Sequence, residues 1–163
     1  MLEALNRQIN EELYSSYLYL SMSAWFESIG LKGFANWMKV QAREELGHAM
    51  KFYDYILARG GKVQLQEIKV PPHEWNSPLH AFEETLKHEK HITECINKLV
   101  EIAEEEKDRA TFNMLQWFVD EQVEEEANDE EIITKLRMIE GSKNGIFMLD
   151  RELAQRKYVE EVK

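Results

Sequence analysis

From Leu2 to Ser28 the sequence runs without a glycine or a proline, and the same is true from Leu79 to Glu106 and from Arg109 to Glu140. A fourth stretch, Phe34 to Arg59, is interrupted only by Gly47. These residues are the ones that stop helices, and the seven Gly and three Pro fall almost wholly between stretches rich in Glu, Leu, Lys, Ala and Met. A helix of ~26 residues is ~39 Å long. Four such helices bury their apolar stripes by lying along one another. The pattern predicts an all-α fold, a single domain over residues 1–163 with a four-helix bundle over about 2–140.

The connections fix the topology. The links near Gly30 and near Lys107 are short, as antiparallel neighbours require. The stretch "GGKVQLQEIKVPPHEWNSP" between Gly60 and Pro78 is far longer. Extended at ~3.3 Å per residue it reaches ~60 Å, enough to travel the whole bundle. Helices two and three are therefore predicted to run parallel, joined by a long crossover. After "GSKNG" a short fifth helix is predicted over about 146–158.

Net charge is −11, which disfavours nucleic acid and anionic membrane as partners and suits a protein that attracts cations. Cys95 is the single cysteine, so neither an intrachain disulfide nor a thiolate cluster can form within one chain, and a reducing compartment fits. The N-terminus lacks an apolar core of the signal type, and no run of ~18 apolar residues occurs. The expected location is the cytoplasm.

Bundle cores follow a 4-3-4-3 spacing. The seam of helix one reads Leu5, Ile9, Glu12, Ser16, Tyr19, Ser23, Phe26. That of helix two reads Phe34, Met38, Gln41, Glu45, His48, Phe52, Tyr55. Helix three gives Leu79, Phe82, Leu86, Glu89, Thr93, Ile96, Val100, and helix four gives Leu115, Phe118, Gln122, Glu125, Asp129, Ile132, Leu136. Each seam is apolar toward its ends and carries a glutamate near its middle. A single buried carboxylate costs several kcal/mol or takes up a proton, and four together repel. A bound multivalent cation reverses the sign of that balance. Glu45 and His48 are i and i+3, so one helix presents both to the same point. A Glu from each of two helices plus Glu-x-x-His from the others is the di-iron carboxylate pattern. Here the second Glu-x-x-His is broken, because Asn128 stands where the histidine would be. Glu121, Glu124 and Glu125 share a further acidic face, with Glu44 as a fourth candidate for another cation site. His73, His80, His88 and His91 show no ligand spacing with a seam residue and read as surface or crossover histidines.

"NEELYSSYLYLSM", "GFANWM", "EELGHAMKFYDYI", "KHEKHI" and "MLQWFVDEQVEEE" together resemble the non-haem ferritins of bacteria and archaea, over nearly the whole chain. The resemblance implies ferroxidase activity and iron storage. It places Glu12, Glu45 and His48 around one iron and Glu45, Glu89 and Glu125 around another, with Glu45 bridging. It makes Gln122 the polar neighbour of the pair and Tyr19 the tyrosine beside it, and gives Glu44, Glu121, Glu124 and Glu125 to a third iron. Trp117 reads as core, with a second electron donor as the alternative. The implied partners are Fe(II) and O2 or H2O2, and the implied assembly is a homo-oligomeric shell of 24 subunits. In related haem-binding proteins a methionine follows the bridging glutamate. Leu46 stands there, so no haem is expected.

Overall fold

The computed structural model describes residues 1–160 and contains five helices: α1 (Leu2–Ser28), α2 (Lys32–Ala58), α3 (Pro78–Glu105), α4 (Arg109–Met138) and α5 (Lys143–Leu153). The four long helices coincide with the breaker-free stretches to within a residue or two. Their ends carry local chemistry. Ser77 accepts a hydrogen bond from the His80 amide with Pro78 in the first turn of α3, and Asp108 accepts from the Thr111 amide at the start of α4. Gly30 adopts φ 82° in the α1–α2 turn, a left-handed conformation that a residue with a Cβ adopts only at a cost.

The crossover runs along α1 from end to end. Asn6 donates to the Lys62 carbonyl (3.1 Å) and accepts from the Gln64 amide (2.7 Å). Further on, Ser21 donates to the Pro72 carbonyl (2.6 Å), and buried Trp75 packs edge-on against Trp25, centroids 5.7 Å apart. Residues 62, 72 and 75 thus climb α1 in step with 6, 21 and 25. The chain returns to the end from which α2 set out, and α3 descends antiparallel to α1. Helices α2 and α3 are parallel, as the length of the connection requires.

Two apolar clusters fill the ends of the bundle. One contains Met22, Phe26, Phe34, Met38, Phe82 and Leu136, and the other Ile9, Phe52, Ile92, Ile96, Leu115 and Phe118. Burying a side chain of this size contributes about 1.5–3 kcal/mol. The rings interlock: Phe26 stacks on Phe34 at 5.1 Å, and Phe52 on Phe118 at 4.1 Å. The seam serines of α1 turn toward α2, where Ser16 donates to the Ala42 carbonyl and Ser23 to that of Ala35. Between the clusters lies a polar layer made by all four helices.

The short helix differs from expectation. It begins at Lys143, where Ser142 accepts from the Gly145 amide, and it ends at Leu153 rather than near Tyr158. Asn36 donates to the carbonyls of Leu153 (3.3 Å) and Arg156 (3.0 Å), which holds the following chain out of the helix and along α2. Leu149 and Leu153 are buried in the first cluster. The Asp150 carboxylate accepts from the amides of Gly33 (2.8 Å) and Phe34 (3.1 Å), capping a helix whose own N-cap residue, Leu31, offers no side-chain bond. A Cβ at Gly33 would lie 1.6 Å from the Asp150 carbonyl oxygen, so only glycine permits this approach.

Candidate metal centre

The middle glutamates of the four seams converge as their matching depth predicts. Glu12 (α1), Glu45 (α2), Glu89 (α3) and Glu125 (α4) are all buried, with His48 beside them. Ligand atoms of Glu12, Glu45 and His48 lie within 4.8 Å of one another, and so do those of His48, Glu121 and Glu125. His48 Nδ1 is 3.2 Å from Glu45 Oε2. Its Nε2 is buried without a hydrogen-bond partner, as is Glu12 Oε2.

Amides and a phenol hold the carboxylates from behind. Gln8 donates to Glu12 Oε1 (2.8 Å). Gln41 bridges Glu45 Oε1 (2.9 Å) and Glu125 Oε2 (2.8 Å) through one nitrogen. Gln122 donates to Glu89 Oε2 and to the Glu89 carbonyl, both at 3.1 Å, and Tyr19 donates to Glu89 Oε1. The resemblance implies Tyr19 and Gln122 as neighbours of an iron pair; in the structure both donate to Glu89. Gln41 was legible only as a seam position, and Gln8 lies off the seam altogether.

Without an ion most of the carboxyls in the layer keep their protons. Burial and the charge of Glu45 push the Glu12 carboxyl up to about 8. Burial likewise drives Glu89 and Glu125 well above the usual carboxylate range, with Glu45 adding to both. Burial works against a charged His48, but the neighbouring Glu45 outweighs it and the imidazole rises to about 10. Burial also acts to raise Glu45, yet the His48 charge and hydrogen bond prevail and hold it low. The metal-free layer is thus one Glu45–His48 ion pair among largely neutral carboxyls. Oxygen-rich ligation with one imidazole suits iron and neighbouring divalent ions, and the orphaned Glu12 Oε2 and His48 Nε2 are atoms that such an ion would take as ligands.

Of the four residues assigned to a third cation site, the structure groups Glu121 and Glu125 through His48. Glu44 reaches instead to Arg156, which comes from the chain beyond α5, and Glu124 is exposed on α4. The Arg156 guanidinium also lies 4.2 Å over the Trp37 ring. No spacing in the sequence could pair residues 112 positions apart. Trp117 stands edge-on to His48 at 5.4 Å, with Lys51 Nζ 3.3 Å from its ring centroid.

Two other groups, buried Asp129 and half-buried His88, complete the surroundings. Asp129 is buried with both oxygens unpartnered, and burial, then Glu125, raises its carboxyl well above the usual range. Seam spacing located it without giving it a role. His88 departs from the reading as a surface histidine. It packs edge-on against Tyr14 and Tyr19 and contacts Ser15 Oγ at 2.7 Å. Burial lowers it to about 4, so it is neutral. It lies one residue from Glu89, off the seam, and periodicity alone could not find it.

A long-crossover bundle carrying a buried carboxylate–imidazole layer defines the ferritin-like class of helical proteins. The ferritin-like domain family matches residues 2–139, and the chain belongs to that family. It is 48% identical to a bacterial non-heme ferritin of Bacteroides fragilis, over 94% of this chain and 95% of that one. It is 40% identical to a bacterial non-heme ferritin of Staphylococcus haemolyticus, over 99% and 97%. Among solved structures it resembles an open-pore ferritin from the archaeon Archaeoglobus fulgidus, with TM-score 0.96, 57% identity and 96% of each chain covered.

Proposed function

We propose that this protein is an iron-storage ferritin with ferroxidase activity. Fe(II) is the substrate, bound as a pair in the middle layer. Glu12, Glu45 and His48 hold one ion, and Glu45, Glu89 and Glu125 hold the other, with Glu45 bridging. Each Fe(II) gives up one electron, and O2 accepts two to reach the level of peroxide; H2O2 as oxidant is reduced to water. The Fe(III) product leaves for a mineral inside a hollow shell of 24 copies. The observation that carries this reading is the pair of buried, unpartnered donors, Glu12 Oε2 and His48 Nε2, inside a layer of four clustered glutamates. Stopped-flow absorbance of anaerobic protein mixed with Fe(II) and then O2 tests it: a fast ferric signal saturating at two irons per chain is expected, and its absence overturns the reading.

The surrounding residues divide the work. Gln41 and Gln122 orient carboxylates, and Tyr19 donates to Glu89 beside the pair. We assign Glu44, Glu121, Glu124 and Glu125 to a third iron site. Glu44 joins it by releasing Arg156, so charge removal at Arg156 should raise occupancy of that site. Leu46 follows the bridging glutamate, and haem is not part of the proposal. A cytoplasmic location fits the single cysteine, and no helix among the described residues is long and apolar enough to cross a membrane.

Storage needs a cavity, hence assembly. In the single chain α5 caps α2 with Asp150 and buries Leu149 and Leu153, while Phe147 and Met148 remain 61% and 71% exposed. That outward face supports packing against other copies. The double variant Phe147→Glu, Met148→Glu leaves the inward face intact. Light scattering should find it as a smaller particle that still oxidises Fe(II) but retains no core. A small particle from the unaltered chain would remove the storage reading and leave an oxidase.

A further inference from the structure

Glu11, next in the chain to the buried Glu12, reaches the surface between α1 and α3. Its Oε2 lies 3.1 Å from His91 Nε2. Cys95 Sγ lies 3.6 Å from the same nitrogen. The three atoms fall within 4.8 Å of one another. His91 and Cys95 are i and i+4 on α3, so they share a face, and α1 brings the carboxylate to them. The site is open to solution, with Glu11 and His91 side chains 36% and 51% exposed.

A neutral imidazole nitrogen bears at most one proton, so Nε2 cannot donate to both the carboxylate and the sulfur. A cation satisfies all three at once. A tetrahedral ion with bonds of ~2.0 Å to N and O and ~2.3 Å to S would space N and O about 3.3 Å apart and N and S about 3.5 Å apart. The observed 3.1 and 3.6 Å are close to that spacing.

We infer that Glu11, His91 and Cys95 form a further cation site, separate from the glutamate layer, for a borderline divalent ion such as Zn2+ or Co2+. Thiolate and imidazole ligands select such ions over Mg2+ and Ca2+, and solvent supplies the remaining ligand. Burial, then the Glu11 charge, pushes the Cys95 thiol up to about 11. Ligation therefore displaces its proton, and binding tightens as pH rises. None of this depends on the ferroxidase reading.

Co2+ titration of the assembled protein tests the site. Cys95 is the only cysteine, so a thiolate-to-cobalt charge-transfer band has one source. The band should reach the amplitude of one thiolate-bound Co2+ per chain in the wild type and in Glu45→Ala, which disables the middle layer. It should vanish in Cys95→Ser and weaken at least about tenfold in His91→Ala. Zn2+ should displace the cobalt and Mg2+ should not. No band in the wild type, displacement by Mg2+, or undiminished affinity in His91→Ala (cysteine binding alone) would overturn the proposal.

Discussion

At the end of the bundle built on Phe26, Phe34 and Phe82, rings stand 5.1–6.2 Å apart. A few turns along the same four helices, Glu12, Glu45, Glu89 and Glu125 are buried just as deeply and are held in place by glutamines and a phenol. The helices are continuous through both regions, so backbone propensity does not distinguish them. The difference lies in what each region needs for completion. The ends are complete once packed. The middle retains Glu12 Oε2, Gln41 Oε1 and His48 Nε2 without partners and gains only when a cation arrives. Stability resides in the ends and binding chemistry in the middle.

That contrast can be broken experimentally, most forcefully at Glu45. In Glu45→Ala the carboxylate proposed to bridge the pair is lost, and fast Fe(II) oxidation should fall by more than the about 10–100-fold that accompanies loss of a ligand's supporting partner. Helix content by circular dichroism should be retained, because both apolar clusters remain. A wild-type oxidation rate would show that the middle layer is not the reaction site.

Phe52, fully buried and stacked on Phe118, probes the other side. Phe52→Ala should cost about 3–5 kcal/mol in denaturant unfolding. The cost should be equal with and without Zn2+ in the middle layer, since none of the proposed ligand residues belongs to the second cluster. A metal-dependent cost would mean that the two regions do not act separately.

Proton competition gives a smaller, signed effect. Glu12 at about 8 and His48 at about 10 both carry protons at neutral pH in the metal-free layer. Ligation requires them to leave, so affinity for Zn2+ or anaerobic Fe(II) should rise with pH from 6 to 8, with net proton release. Calorimetry in buffers of different ionisation enthalpy measures that release. Finding none would place the ion elsewhere.

Asp108, at the end of the bundle, should give the smallest change. Hydrogen bonds from Thr111 and then Arg59 hold its carboxyl down at about 2. Its folded value is depressed, so its contribution is full above the unfolded value of ~4 and is lost as pH falls toward 2. Asp108→Ala should cost about 1 kcal/mol at pH 7, and its gap from the wild type should close on acidification. The gap should be indifferent to metal.

Much of this molecule is readable in one dimension because its regularities are local. A helix repeats every 3.6 residues, so seam spacing brought Glu12, Glu45, His48, Glu89 and Glu125 to one depth without any structure. The length of the 60–78 stretch likewise dictated parallel α2 and α3, since a shorter link could not travel the bundle. What the sequence could not decide were contacts between residues with no shared period. Arg156 reaches Glu44 across 112 positions, and Asp150 caps α2 across more than that. His88 goes inward rather than outward because Tyr14 and Tyr19 of α1 happen to face it. Glu11 meets His91 and Cys95 only because α1 and α3 lie side by side. Periodicity specifies the face of a helix on which a residue lies; the packing of one helix against another decides which group it meets.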